Sequence, residues 1–364
     1  MLLLRLFFRL TLVLFPACLT GIILASVIPL ALDDQLTFNT AEGLQLLDTG
    51  RSLTVNLVKT PPEIIDFDWS PDGRYLLTLQ QVGVFQEVKA LDMQTRLWHD
   101  LTTLFNIHYF PAWSPDGQHI VFTRTANGGS EIVVGDIFTG TTHFLVENMH
   151  VAQPVWSQDG QFIAFYNRKS DRVWQVVVTD TEGNLLHQLP LPDNLAVQPP
   201  TPPVWVLNQN QIIVSTSKMG DFAAETGESR TYRIDLPTEA ISPVFGGTTL
   251  AVNHVHGYSP DGTWILASLP DRVKLTLVNL SDHRNICLFC TDSIVTYYNT
   301  PIWSPDSASL AVVGKQAATL PGGPPWKLFI YNMQHDLTTV IPLNDRAIAA
   351  LSFLTPLRWR PDSH

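Results

Sequence analysis

Pro111–Phe122 reads PAWSPDGQHIVF: one tryptophan, a Ser-Pro-Asp-Gly quartet, then an alternating run. The quartet is a turn, and each position has its own reason. Ser114 offers a small hydrogen-bonding side chain at the first position of a type I turn. Pro115 fixes φ at the second and Asp116 tolerates the third, while Gly117 takes the left-handed conformation that follows in a bulged hairpin. Beyond the turn, His119, Val121 and Thr123 alternate with Ile120, Phe122 and Arg124, the period of a strand. Residues Glu131–Asp136, a second turn at Phe138-Thr139-Gly140, and Thr141–Val146 continue the pattern. The copy therefore predicts about four antiparallel strands, one blade of a propeller.

The chain repeats itself. DFDWSPDGRYLLTL spans Asp66–Leu79, PVWSQDGQFIAF spans Pro154–Phe165, HGYSPDGTWILA spans His256–Ala267 and PIWSPDSASLAVV spans Pro301–Val313. Weaker copies stand at Pro203–Ser215 (PVWVLNQNQIIVS) and Leu357–Asp362 (LRWRPD). Ser70, Ser114 and Ser157 fall at intervals of 44 and 43 residues, the period of a four-stranded blade. Later intervals are longer, and the surplus falls in polar or Gly/Pro-rich pieces such as SKMGDFAAETGESR and KQAATLPGGPPW, which read as loops on one face. The aromatic residue before each turn reads as packing between blades. Trp69, Trp113, Trp156, Trp205, Tyr258, Trp303 and Trp359 predict seven blades, with six as the alternative if the weak end copies form none.

These Trp-Ser-Pro-Asp-Gly copies resemble the TolB-type propeller repeat, related to WD-repeat propellers, over nearly all of Gln35–His364. Two copies depart: Val206-Leu207-Asn208-Gln209 replaces the turn in one, and Ser307 replaces the glycine in another. The family's namesake carries an extra α/β domain ahead of its propeller, and there is no room for one between the apolar N-terminus and the first strands. The resemblance therefore implies the fold and not the namesake's role.

Two organisational expectations follow from the chain ends. Residues 1–33 read as a short cytoplasmic stub and an anchor: Leu10–Leu32 is almost wholly apolar, with Arg5 and Arg9 before it and Asp33 and Asp34 after it. That is long enough to span a bilayer, and the positive flank keeps the N-terminus in the cytoplasm. A cleaved signal peptide is the competing reading. The run exceeds the usual apolar region of about 7–15 residues, and no small-x-small site stands before Asp33, which favours an uncleaved anchor. Cys18 lies mid-run, unlike a lipoprotein site. Residues 35–364 read as the propeller. Gln35–Val58 supplies three strands but no Trp-bearing first strand, and the C-terminal TPLRWRPD supplies a first strand and then stops. One C-terminal strand joining three N-terminal ones would close the ring and leave no open edge.

For chemistry the sequence offers little. A net charge of −11 and no Lys/Arg run argue against nucleic acid as a partner. No Gly-x-Ser-x-Gly elbow, phosphate-binding glycine loop or His-Glu-x-x-His occurs. Prolyl-oligopeptidase-like enzymes carry similar propellers, but with a hydrolase domain that this chain has no residues to build. Residues just before the inner strands should face the axial funnel: His108, Tyr109, His150, Gln153, His254, His256 and Tyr298, with Glu63 and Asp66 the only carboxylates in that register. Three blades donating histidine at similar register would suit a metal or an anionic ligand; hydrogen bonding between blades is the blander reading. Cys287 and Cys290, in CLFC, read as a structural disulfide outside the cytoplasm, with unlinked packing cysteines or a metal or redox pair as alternatives. Surface aromatics such as Trp326, Phe222 and Trp174 would stack sugars or pack against neighbouring blades.

The expectation is thus a non-catalytic, membrane-anchored, extracytoplasmic propeller that binds a protein or peptide and holds no cofactor or metal. The alternative is a metal-dependent enzyme, or a small-ligand or carbohydrate binder, that uses the axial funnel.

Overall fold

The computed structural model describes residues 35–40, 43–48, 53–59, 63–83, 85–101, 111–126, 128–170, 173–192, 202–206, 209–217, 229–244, 254–268, 275–282, 284–288, 294–295, 301–316, 326–334, 337–342 and 357–361. They form seven antiparallel sheets, the seven blades expected from the aromatic count. Blade one holds Glu63–Trp69, Tyr75–Val82, Phe85–Asp92 and Trp98–Asp100. Blade two holds Ala112–Trp113, His119–Ala126, Gly129–Asp136 and Thr142–Met149. Blade three holds Val151–Trp156, Phe162–Ser170, Val173–Asp180 and Leu185–Pro190. Blade four holds Val204–Trp205, Gln211–Ser217, Ser229–Asp235 and Ala240–Pro243. Blade five holds His254–Tyr258, Trp264–Ser268, Leu275–Asn279 and Asn285–Cys287. Blade six adds a short extra strand: Ile294–Val295 and Ile302–Trp303 both pair with Ser309–Gln316, which is followed by Trp326–Asn332 and Leu337–Pro342.

Five blades start from the same hydrogen-bonded hairpin. In blade two, Gly117 N donates to Ser114 O at 2.9 Å and Ser114 N donates to His119 O at 2.9 Å. The Ser114 hydroxyl accepts from His119 N at 2.9 Å and donates to Asp116 Oδ1, which accepts in turn from Gln118 N at 2.9 Å. The side chains thus satisfy backbone donors that the turn would otherwise orphan. The same pattern recurs at Ser70-Asp72-Tyr75, Ser157-Asp159-Phe162, Ser259-Asp261-Trp264 and Ser304-Asp306-Ser309. Gly73, Gly117, Gly160 and Gly262 hold φ between 64 and 70°, and Ser307 holds 62° in the copy that lacks glycine. Blade four keeps the backbone bonds without the side chains: Val206 N donates to Gln211 O and Gln209 N to Val206 O.

The apolar faces meet between blades. Tyr75, Leu77, Val88 and Ala90 of blade one pack with Trp113, Ile120, Phe122 and Val133 of blade two, and the other seams repeat the arrangement. Trp69, Trp113 and Trp359 are buried, as packing residues should be, while Trp156, Trp205 and Trp303 are only partly so. Tyr258 replaces tryptophan in blade five and bonds its hydroxyl to Ser215, deep between blades four and five. Trp174, a candidate sugar platform by sequence, is 6% exposed inside the core of blades three and four. It packs against the neighbouring blade and is not available for stacking.

The ring closes as the chain ends suggested. Leu357–Trp359 pairs antiparallel with Gln35–Thr40, which pairs onward with Gly43–Asp48 and Leu53–Lys59. Trp359, Leu36, Phe38 and Leu47 then pack against Ala311, Val313 and Leu328 of blade six. On the other side, Trp69 Nε1 of blade one donates to Thr37 Oγ1 at 2.9 Å. Arg360 clasps three partners. Its backbone N donates to Gln35 O at 2.8 Å, its Nε donates to Gly73 O at 3.0 Å, and its guanidinium lies 4.9 Å from the Trp69 ring centre. Residues 10–32, the anchor read from the sequence, lie outside the described residues. Among the described residues no helix is long and apolar enough to cross a membrane.

Candidate functional site

The first strands of the blades form the inner edge of the ring, and three of them break register: between Ile64 and Asp66 in blade one, Ala152 and Val155 in blade three, and Val255 and Gly257 in blade five. An extra residue in an inner strand re-aims the side chains around it. Gln153, inside the second break, holds φ 55° although it is not glycine, and such strain clusters where a surface is built for a purpose.

Asp66 and Asp68 of blade one meet Arg358 of the closing blade at this edge. Arg358 Nη2 lies 3.4 Å from Asp66 Oδ1, and its Nε 3.4 Å from Asp68 Oδ1. Phe67 N also donates to Asp66 Oδ1 at 2.8 Å. Asp68 is packed round by protein, yet water reaches 33% of its side chain. Burial pushes its carboxyl up to about 6, against the pull of Arg358 and with a further push from Asp66. Asp66 is raised for the same first reason. One guanidinium thus serves two carboxylates, and one of these exchanges a proton near neutral pH. Sequence reading placed Asp66 at the axis but missed Asp68 and Arg358. A contact 292 residues apart leaves no local signal in the chain.

Of the predicted funnel histidines and tyrosines, those of blades three and five lie among the described residues and the others do not. His108, Tyr109 and Tyr298 lie outside the described residues. His150 is exposed just before the first strand of blade three, and its carbonyl accepts from Arg168 N at 2.9 Å. His254 and His256 lie within the first strand of blade five and not ahead of it, and His256, half-buried, falls at the register break. Among the described residues no three His, Cys, Asp or Glu side chains are grouped to hold a metal ion. Cys287 ends the last strand of blade five and is disulfide-bonded, with Cys290 outside the described residues. Phe222 and the Trp326 side chain also lie outside them.

A second surface emerges on the rim of blades one to three. Leu97, Trp98, Phe138, Phe144, Leu185 and Leu186 are 64, 41, 50, 43, 58 and 44% exposed. They occupy the outer strands of consecutive blades and the turns that lead into them. The blades are tied together here: Phe138 meets the Tyr75 ring edge-on at 5.4 Å, and His143 Nε2 lies 3.1 Å from Thr181 O. Scattered apolar side chains on a surface are ordinary, but here three aromatics and three leucines stand exposed on the outer strands and turns of three consecutive blades.

Comparison with known proteins agrees with this architecture. Residues 43–223 match the family model described as the TolB beta propeller domain. A protein TolB homolog of Chlorobium chlorochromatii (strain CaD3) is 27% identical over 127 residues, which cover 35% of this chain and only 28% of that relative's length. TolB from Acinetobacter baumannii superposes with a TM-score of 0.51 at 14% identity, over 91% of this chain and 67% of that one. An oligogalacturonate lyase from Vibrio parahaemolyticus superposes with a TM-score of 0.59 at 12% identity, over 86% of this chain and 89% of that one. At such identities the structural likeness is one of fold alone.

Proposed function

The chain belongs to the TolB-type β-propeller repeat family, and from that premise we propose that it is a non-catalytic, extracytoplasmic interaction scaffold for a protein or peptide partner, held at a membrane by its N-terminal segment. The observation that carries the reading is the exposed apolar arc of blades one to three on a ring that its own ends lock shut. A closed ring holds such side chains in fixed relation, so a partner meets a preorganised surface and little ordering entropy is lost. Aromatic residues with an apolar body are the side chains that anchor protein interfaces. Placement outside the cytoplasm rests on Leu10–Leu32 with its positive N-terminal flank, and on the oxidised state of Cys287, since disulfides persist in oxidising compartments.

Protease added to intact cells is expected to release a folded propeller, and protection of the chain until lysis would sink the placement. In the same cells, crosslinking through the full-length chain should capture a protein partner. The triple variant Leu97→Ser, Trp98→Ser, Leu185→Ser should lose that partner while keeping its melting temperature. Unchanged capture by the triple variant would sink the assignment of this arc.

A further inference from the structure

We propose that the seam between blades three and four is a binding site for a neutral sugar unit. The argument starts from how the Ser-x-Asp-Gly turns tile around the ring. A Cβ at Gly117 of blade two would sit 3.7 Å from Ser70 of blade one, and one at Gly160 of blade three would sit 3.6 Å from Pro115 of blade two. One at Gly262 of blade five would sit 3.2 Å from Val206 of blade four, and Ser307 of blade six accepts through its hydroxyl from Asp261 N at 3.0 Å. One at Gly73 of blade one would collide with Pro361 of the closing blade. In each case the left-handed residue of one turn lies on the turn before it. Blade four is the exception. Val206-Leu207-Asn208-Gln209 replaces the motif there, and Gln209 stands where the glycine belongs. At that seam a solvent-open cavity of about 400 Å³ lies between the turns of blades three and four. Gln158 of blade three even reaches past blade four to Pro260 O of blade five, at 3.4 Å.

What lines the cavity selects the ligand. On its floor the half-buried rings of Phe162 and Trp205 stack at 6.3 Å and 27°. Around the rim stand Gln158, Asp159, Gln209 and Asn210, all exposed. An apolar ligand would leave three side-chain amides and a carboxylate without exchange for their water. An anion would face Asp159 with no Lys or Arg among the lining residues. A neutral pyranose fits both features. Its C–H face lies on an aromatic ring, and its hydroxyls both donate and accept, as the planar amides do. The volume falls in the roughly 300–1,000 Å³ range of small-molecule sites.

The test uses the full-length chain in a detergent without a sugar headgroup. Saturation-transfer NMR is recorded with cellobiose, chitobiose, maltose and lactose, and with digalacturonate as the charged control. At least one neutral disaccharide should receive saturation on its ring C–H protons, and digalacturonate should receive none. Gln209→Ala, on the exposed rim, should weaken that binding about tenfold without shifting the melting temperature. The restoring variant V206S/L207P/N208D/Q209G should tile the seam as elsewhere, abolish the signal and leave the melting temperature equal or higher. No transfer to any neutral disaccharide overturns the proposal. Transfer that survives the restoring variant, preferential binding of digalacturonate, or a short peptide that binds through Gln209 in place of a sugar overturns it equally.

Discussion

Gly73 and Arg96 occupy left-handed positions in the turns of blade one, and substitution should move them in opposite directions. Gly73 has φ 64°, and a Cβ there would lie 2.2 Å from Pro361 O, backbone that cannot swing aside. Gly73→Ala should therefore push the C-terminal strand from its seat, with a loss of roughly 3 kcal/mol or more, the scale of combined strain and overpacking. Denaturant unfolding measures it, and a loss within about 0.5 kcal/mol, typical of neutral surface changes, would contradict the clasp geometry. Arg96 holds φ 62° with a side chain, where Gly140 and Gly183 stand in the corresponding turns of blades two and three. It is also a like charge near Arg360, whose pKa is lowered first by burial and then by Arg96. Relief of left-handed strain, about 1–2 kcal/mol, exceeds the entropy added by a glycine, about 0.5–1 kcal/mol. Arg96→Gly should thus raise the melting temperature by a few degrees at most, and a fall would count against it.

At the scale of the element, the Ser-x-Asp-Gly hairpin is one unit used five times, once with Ser307 in place of the glycine, and imitated once. Ser114 is buried, and its hydroxyl links the Asp116 carboxylate to His119 N. Ser114→Ala leaves that donor unmet and should cost about 1–3 kcal/mol, the penalty for an orphaned buried group. Val206, at the equivalent position of blade four, has no side chain to make such a bond, and a Ser114→Ala loss below about 0.5 kcal/mol in denaturant unfolding would refute the account. This hairpin explains why so much of the fold is legible in the chain. The cap lies within six residues, so it recurs as a visible motif, and the missing first strand at Gln35 points to its replacement at Trp359. Seam chemistry is not legible in the same way. Asp68 and Arg358 meet because two blades face each other across the closure, and neither residue lies in a local pattern that announces it. Likewise the break at Val206–Gln209 is plain in the sequence. That it opens a cavity over Trp205 depends on how neighbouring turns tile, which no single copy reveals.

For the whole molecule, closure governs both pH response and integrity. Asp68 has a folded-state pKa of about 6 against an ordinary 3.8. The folded chain therefore holds a proton that the unfolded chain releases between those values. Its contribution is fully present below about 3.8 and is lost as pH rises through 6. Asp68→Asn should gain stability relative to the parent as pH rises from 4 to 7, with Asp66 still facing Arg358. Urea melts across that range decide it, since a difference independent of pH would exclude Asp68 as the source.

The ends of the ring make a stronger claim. Arg360 N donates to Gln35 O at 2.8 Å, the same bond that Ser114 N makes to His119 O across an intact turn. Arg360 and Pro361 thus occupy the start of such a hairpin, with Gln35 across the gap, and in sequence Ser363 and His364 stand where the other copies carry glycine and the residue after it. Gly-Gln in place of Ser363-His364, joined directly to Gln35 with residues 1–34 removed, should complete the turn. A circular permutant made this way, opened at the exposed hairpin tip around Gly83, should fold and melt above the parent ring, because a two-residue link removes the entropy of bringing distant ends together. Deletion of residues 357–364 should do the reverse. It strips Gln35–Thr40 of its partner strand and removes Trp359 from its core, a loss of about 3–5 kcal/mol from that side chain alone, against a total stability of roughly 5–15 kcal/mol. Thermal melts of the three chains should rank permutant, parent, deletion. A deleted chain that keeps the parent's transition would mean that the seventh blade holds without its C-terminal strand, and that the two chain ends are not the lock.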